Sequence, residues 1–599
     1  MSNGPRTGLE RGPRVGSGPI EKPKNQKDTL LRIWHYLQKQ RLGVILAIFT
    51  VVGVTVLKLI GPWLIGIIVD DYIAKFDIEG TIMMALWLGA SYLATFGVTY
   101  IQTVVMIFVA QRTIQRIRQE LFNKFQRLPL RFFDQRQQGD LMSRVTNDID
   151  SLNMALTQSI TQILSAILTI VGTAAAMVLL DWRLAIVTVT IIPLIVFASK
   201  QIIKRSSVNY KARQRDLGQL NGYIEETISG IEIVTLFGKE AQTAQLFEEK
   251  NERLRKSALR AETISGFMGP INNAMNNLGL GLVIGVGAIL SVKGYTSVGV
   301  IAAFVTYTRQ FFQPINQLSN LLNTFQSAIA GAERVFEVLD EKDETVDESG
   351  TIKATHFNGH VVFEDVSFEY EQGKPILKGI SFEAKQGEII ALVGPTGSGK
   401  TTVINLLTRF YPIDQGMITV DGVPIEQYEM ASLRNHIGVV LQDTYLFSGT
   451  IRENIRFGKL DATDEEVEKA AKIAYAHKFI RHLPEQYETA ITSGGTNLSQ
   501  GQRQLIAIAR AILEDPDILI LDEATSNVDT RTEVHIQKGL QNLMHGRTSF
   551  VIAHRLKTIE QADQILVLGQ GEILEQGNHD SLMMQQGIYY EMQTKLQGA

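Results

Sequence analysis

The chain contains no cysteine, so disulfides and thiolate metal sites are excluded at the outset. Histidine is scarce too, 10 in 599 residues, and is not read as a metal-binding set. No excess of positive charge survives either: 58 Lys and Arg stand against 62 Asp and Glu, a net charge of −4. That balance argues against nucleic acid as a partner, which asks for a basic domain or stripe. A cleavable secretory signal is not expected, because the first apolar stretch follows a long polar leader and is too long for an h-region.

Hydrophobic residues make up 45% of the chain, yet the mean hydropathy is only +0.04, an average over two unlike halves. The apolar half comes first. Six runs, 42–68, 82–110, 156–180, 184–202, 274–292 and 298–312, are long enough to consider for a hydrocarbon layer ~30 Å thick, the last two marginally. Arg and Lys crowd the stretch before Leu42 and the second connection from Arg112 to Arg144. The first connection holds Asp70, Asp71, Asp77 and Glu79 against Lys75, and the third is little more than Asp181-Trp182-Arg183. By the positive-inside rule the N-terminus is cytoplasmic, and six crossings return the chain to the cytoplasm. The expectation is a multi-pass protein of the cell membrane. Asp28 to Gln40 places Leu30, Leu31, Ile33, Trp34 and Leu37 largely on one helical face, which suits an amphipathic helix on the membrane surface or the start of the first membrane helix. Lys58, Gln102, Asn272, Asn273, Asn276, Asn277, Arg309 and Gln310 are polar groups in or beside these runs that should avoid lipid, by lining a cavity, bonding to neighbouring helices or sitting near the interface.

The second half carries a complete G-x-x-x-x-G-K-[ST] loop, Gly394-Pro395-Thr396-Gly397-Ser398-Gly399-Lys400-Thr401-Thr402, directly after the apolar run Ile389 to Val393. Glycines let backbone N–H groups wrap phosphate oxygens without side-chain intrusion. A helix starting near Lys400 would point its N-terminal donors at the same phosphates. Lys400 would then reach the β and γ phosphates of ATP, and the Thr401 hydroxyl would ligate Mg²⁺. Farther on, the aliphatic stretch Ile518 to Leu521 ends in Asp522-Glu523. A strand buried on both faces fits that stretch. Asp522 at its carboxyl end is placed to hold Mg²⁺, and Glu523 to orient or deprotonate the attacking water.

With these motifs in that order, the second half resembles the nucleotide-binding domain of ATP-binding-cassette transporters. The resemblance implies that Tyr370 stacks on adenine and that Gln442 meets Mg²⁺ and the attacking water. It also implies that Ser499, Gly501 and Gln502 contact the γ-phosphate of an ATP held by the opposite subunit, that Asp529 couples the two sites, and that His554 contacts the γ-phosphate. Gln500 stands at the third signature position, where the family most often has glycine. In the membrane half, Phe132-Phe133-Asp134 with Gly139 to Asp148, and Asn221 to Glu226, resemble the two intracellular loops of the exporters, which carry short coupling helices.

The implied fold is a six-helix α-helical transmembrane domain of exporter type followed by an α/β P-loop NTPase domain with a helical subdomain. The implied boundaries are a flexible leader at 1–27, the transmembrane domain at 28–330, a linker at 331–358 and the nucleotide-binding domain at 359–599. The implied function is ATP-driven export of an amphipathic small molecule, a drug or lipid, with a peptide as the alternative substrate. An ATP-gated channel or regulatory membrane protein using the same cassette is the competing class, and Glu523 and His554 count against it. One chain offers one phosphate loop and one signature, so a second chain is required. The Gln500 signature and the leader 18–25 resemble the catalytically intact subunit of heterodimeric multidrug exporters, and that resemblance implies a heterodimer ahead of a homodimer.

Overall fold

The structure is a computed structural model, and it describes residues 25–344, 352–371, 373–442, 444–523, 530–553 and 559–597. It divides into two compact units, one of Met1–Phe125 with Gln138–Glu341, the other of Gln126–Gln137 with Lys342–Ala599.

The first unit is helical. Helix α1 (Gln26–Gln38) buries Ile33 and Leu37, while Leu30, Leu31 and Trp34 of the same apolar set remain exposed. Helix α2 (Arg41–Ile67) follows, then α3 (Ile78–Phe125). At 48 residues α3 is ~72 Å long, more than twice a hydrocarbon layer. The short helix α4 (Leu130–Asp134) belongs to the second unit. Helix α5 (Gln138–Leu180) resumes the first. Within it two π-turns, Arg144–Asp148 and Ala155–Ser159, interrupt the regular ladder.

The fourth expected run, 184–202, is not one straight helix. Asp181 caps α6 (Trp182–Thr190) by accepting from the Arg183 and Leu184 N–H groups, and the helix breaks before α7 (Ile192–Ser229). Pro193 is the cause: it lacks the N–H that would continue the ladder, and it stands at the second position of α7, where a helix start tolerates proline. A short α8 (Ile231–Leu236) turns the chain into α9 (Glu240–Gly266), followed by α10 (Met268–Val292) and α11 (Val298–Asp340). Among the described residues four helical stretches are long and apolar enough to cross a membrane: Arg41–Ile73, Ile78–Phe125, Gln138–Leu180 and Glu240–Val292. The expected fifth run is therefore in this set. The fourth lies in α6 and α7 and the sixth opens α11, both outside it. Helix α11 also runs through 331–340, where a linker was expected, and buries Ala332, Val335 and Phe336 on one face.

In the second unit β1 (Val361–Glu371), β2 (Lys374–Ala384), β4 (Gln415–Val420) and β5 (Val423–Pro424) form an antiparallel sheet. The larger sheet uses β3 (Ile389–Val393), β6 (Ile437–Val440), β9 (Ile518–Glu523), β10 (Thr548–Ala553), β11 (Gln564–Gly569) and β12 (Glu572–Gly577) in the order β12-β11-β3-β10-β9-β6. The small pair β7 (Gly449–Thr450) and β8 (Ala490–Ile491) completes the strands. From β11 to β6 all pairings are parallel, and only the edge strand β12 is antiparallel.

The two-residue strand period sorts the aliphatic runs between two cores. Ile390, Leu392, Ile518 and Ile520 pack against β1, β2 and α12 (Lys400–Leu407). Ala391, Val393, Leu519 and Leu521 pack against a helical part that includes α13 (Asp464–Ile473) and α14 (Gln500–Glu514).

Candidate functional site

The phosphate loop links the carboxyl end of β3 to the first turn of α12. Two glycines are required by space as well as by backbone. Gly394 has φ +151°, and a Cβ there would lie 2.2 Å from the Leu568 carbonyl oxygen. Gly399, the N-cap of α12, has φ +104°, and its Cβ would lie 2.6 Å from Leu377 Cδ2. Pro395, Thr396 and Gly397 form an exposed crest. Below it the Lys400 Nζ donates to the Gly394 and Pro395 carbonyls, both at 2.9 Å. Burial pushes the Lys400 ammonium below its ordinary pKa, and the negative charge of Asp522 works in the opposite direction.

Ser398 is 2% exposed, and its Oγ has no hydrogen-bond partner among the described residues. A buried hydroxyl of that kind suits a loop completed by the oxygens of a phosphate. Asp522 sits in β9 opposite Ile552 of β10, at the carboxyl edge of the parallel strands, where ligands of open α/β sheets bind. Thr401 is exposed in the first turn of α12. A hydroxyl and a carboxylate are hard oxygen donors that fit Mg²⁺, which takes its remaining oxygens from phosphate and water.

Tyr370 belongs to an aromatic cluster. Its ring meets Phe368 and Tyr411 edge-on, with centroids 4.8 and 4.9 Å apart. Its hydroxyl lies 3.3 Å from Thr402 Oγ1 and accepts from Asn405 Nδ2 at 3.1 Å. The Tyr411 hydroxyl donates in turn to the Asp134 carboxylate at the end of α4, and Arg131 of α4 donates to the Tyr370 carbonyl at 3.4 Å. Burial and the bond to Asp134 raise the Tyr411 phenol above its ordinary pKa. Segment 126–137 is thus part of the body that holds Tyr370. Sequence reading missed Tyr411 and Asn405; the signal was the pair Phe410-Tyr411 just past a helix that begins in the phosphate loop.

The signature forms the start of α14. The Ser499 Oγ accepts from the Gln502 N–H, and Gln502 Oε1 accepts from the Ser499 N–H, a reciprocal cap readable as S-x-x-Q. Gly501 is buried beneath it. Gln500 lines a cavity of about 240 Å³ together with Gln442, Arg503 and Gln504. The structure therefore brings Gln442 beside the third signature position of the same chain. Glu523 closes β9 opposite Ala553; its side chain, Asp529 and His554 lie outside the described residues.

In the first unit, α2, α3, α5 and α11 enclose a cavity of about 990 Å³. Of the polar residues singled out in the sequence, Lys58, Gln102 and Gln310 line it, whereas Arg309 and the four asparagines do not.

Residues 44–315 match the family described as ABC transporter transmembrane region, and residues 377–526 the family described as ABC transporter. The chain is 48% identical to the "Uncharacterized ABC transporter ATP-binding protein YfiC" of Bacillus subtilis (strain 168), over 97% of this chain and 96% of that protein. It is 43% identical to the "Fatty acid ABC transporter ATP-binding/permease protein" of Mycobacterium bovis, over 86% and 81% of the two chains. A third relative, the "Probable multidrug resistance ABC transporter ATP-binding/permease protein YheH" of Bacillus subtilis (strain 168), is 39% identical over 86% and 77%. With a helical membrane region fused ahead of a P-loop ATPase domain, the chain belongs to the ABC transporters, as an exporter half-transporter whose ATPase is coupled to transport.

Proposed function

We propose that two half-transporters pair to export an amphipathic small molecule, closing on ATP and exposing the membrane cavity to the far side. The cavity carries this reading: its wall joins Lys58 and a belt of amides and hydroxyls to Val54, Met106, Ala166 and Leu321. Such a mixed lining suits a molecule with a polar head and an apolar body. Two of the relatives are named for fatty acids and for multidrug resistance, and a fatty acid is a molecule of that description.

Pairing is supported at the tip of the α7–α9 hairpin. There Ile231, Ile233, Leu236 and Phe237 on and beside α8 are all at least half exposed, an apolar end suited to seating on a partner. Gln500 supports a related but different chain as that partner, one that lacks the glutamate. The positive-inside rule supports a cytoplasmic N-terminus and ATPase domain.

In the hydrolytic site, Lys400 and the loop N–H groups hold the β and γ phosphates, and Glu523 takes the proton of the attacking water. His554 contacts the γ-phosphate, Tyr370 stacks on adenine, and Asp529 couples the two sites. Thr401, Asp522 and Gln442 would hold Mg²⁺, which when bound neutralises phosphate charge. Ser499, Gln500, Gly501 and Gln502 face the partner's ATP. ATP moves the helices only through its higher affinity for the closed dimer.

The test uses Glu523→Gln in the reconstituted protein, made alone and with a co-expressed related chain. Hydrolysis should fall at least ~100-fold with ATP binding retained, while Lys400→Ala should weaken binding itself. Near-normal turnover of Glu523→Gln would overturn the catalytic assignment. Full transport by the chain alone would overturn the heterodimer.

A further inference from the structure

We infer that the membrane cavity selects an amphiphile with an anionic head group, and that Lys58 is its counter-ion. This rests on the export reading above and sharpens it. Among the described residues the cavity, about 990 Å³, is lined by one cation and no carboxylate. Lys58 stands near the middle of the 33-residue span Arg41–Ile73, where a charge is costly unless it faces a cavity and meets a partner. Its ammonium makes no hydrogen bond or ion pair among the described residues. Its backbone is held in place, since Gln310 Nε2 donates to the Lys58 carbonyl at 3.3 Å and ties α2 to α11.

The rest of the polar wall is neutral. Gln102, Gln158, Gln162, Gln313 and Gln317 present amides, each both donor and acceptor. Groups of that kind solvate a head of either sign, so they contribute tolerance and no choice of charge. The choice falls to Lys58, which attracts an anion and repels a cation across a space that water screens less than bulk. A long-chain carboxylate and an alkyl phosphate share the required chemistry.

The experiment measures equilibrium binding to the full protein in phosphatidylcholine vesicles, using tetradecanoate, tetradecyl phosphate, tetradecyltrimethylammonium and tetradecyl maltoside. Both anions should bind about tenfold more tightly than the cation, with the maltoside between, and the better anion identifies the head group. Lys58→Gln should abolish the preference and Lys58→Arg should keep it. Gln102→Lys, which adds a cation to the same wall, should strengthen it several-fold and keeps the test open where Lys58→Gln does not fold. Equal binding of cation and anion by the wild type, or an anion preference that survives Lys58→Gln, overturns the assignment. ATP-driven movement of the four probes, followed in the same vesicles, separates the two readings. Movement of the cation without any anion preference sinks Lys58 as selector and leaves export standing, whereas anion binding with no ATP-driven movement of any probe does the reverse.

Discussion

The two units place apolar side chains in opposite ways. In the ATPase unit the strand period turns Ile390, Leu392, Ile518 and Ile520 to one core and their neighbours to the other, and these residues are essentially inaccessible. In the membrane unit Leu42, Leu86, Phe96 and Leu179 are 85%, 70%, 71% and 87% exposed, while the cavity between the helices is walled by glutamine and threonine. Helix α3 contains both regimes. Its first half exposes Leu86, Leu93 and Phe96; its second half buries Ile114, Ile117 and Leu121 and turns Arg112, Arg116 and Arg118 outward. The residues follow the solvent along one helix, lipid first and water after, so burial marks a core only in the water-facing part.

The strongest way to sharpen this contrast is to add one methyl group to a glycine in each unit. At Gly394, Ala meets both a positive φ and the Leu568 carbonyl at 2.2 Å, and backbone cannot swing aside as a flexible side chain can. Strain of ~1–3 kcal/mol at such a position should lower ATP affinity by ~5- to 150-fold in a nucleotide-binding assay. At Gly97 of α3 nothing lies within 4 Å of the added carbon. Ala there should leave ATP binding unchanged and hold or slightly raise the melting temperature, since it is the better helix former by ~1 kcal/mol. Equal damage from the two substitutions would break the contrast.

A smaller effect is expected where the membrane unit does bury charge. Asp148, 6% exposed, closes a π-turn of α5. Its carboxylate accepts from Arg334 Nε at 2.9 Å and from a second guanidinium nitrogen, and a Cβ placed on Gly331 of α11 would lie 3.3 Å from Asp148 Cα, so the glycine keeps this close approach open. Asp148→Ala leaves a guanidinium facing the buried gap. Because Arg334 is itself 33% exposed, the loss should be about 2 kcal/mol, below the full cost of breaking a buried pair. A double-mutant cycle with Arg334→Ala, read by thermal unfolding, should return a coupling of at least ~0.5 kcal/mol. No coupling would mean that the pair is ornamental.

What the sequence made legible follows the range of the interactions. The phosphate loop, the β9 run and the start of α12 at Lys400 are encoded within about a dozen neighbouring residues, and the structure has them where the motif puts them. The break at Ile191 was equally local, and Pro193 announced it; a hydropathy window averages over a proline and cannot see it. The run of α11 to Asp340 was readable in the spacing of Ala328, Ala332, Val335 and Phe336, which an acidic tail obscured. The link from Tyr411 to Asp134 was not readable, because 277 positions separate the partners and neither residue type announces the other. The cavity lies between these cases. Lys58 and Gln102 stood out as polar groups in apolar runs, but only helix packing separates them from Arg309, which lies outside the wall.

The smallest expected effect concerns an acid that the ATPase unit buries. Glu514 is the last residue of α14, where the helix end already disfavours negative charge. Burial pushes its carboxyl up to about 7, and Arg510, one turn earlier, pulls it back only in part. A folded-state pKa raised above the unfolded 4.5 means that the native state holds this proton more tightly than the unfolded chain. The resulting stability is fully present below pH 4.5, is lost as pH rises through about 7, and changes no further above that. Glu514→Gln keeps the shape without the proton and should remove this part of the pH dependence. Near pH 8 the variant should melt a few degrees above the wild type, and near pH 4.5 the two should coincide. The shift should be confined to the transition of the ATPase unit, followed by calorimetry on the full chain. A gain of the same size at both pH values would show that the amide improves packing and that the carboxyl does not titrate where its burial places it.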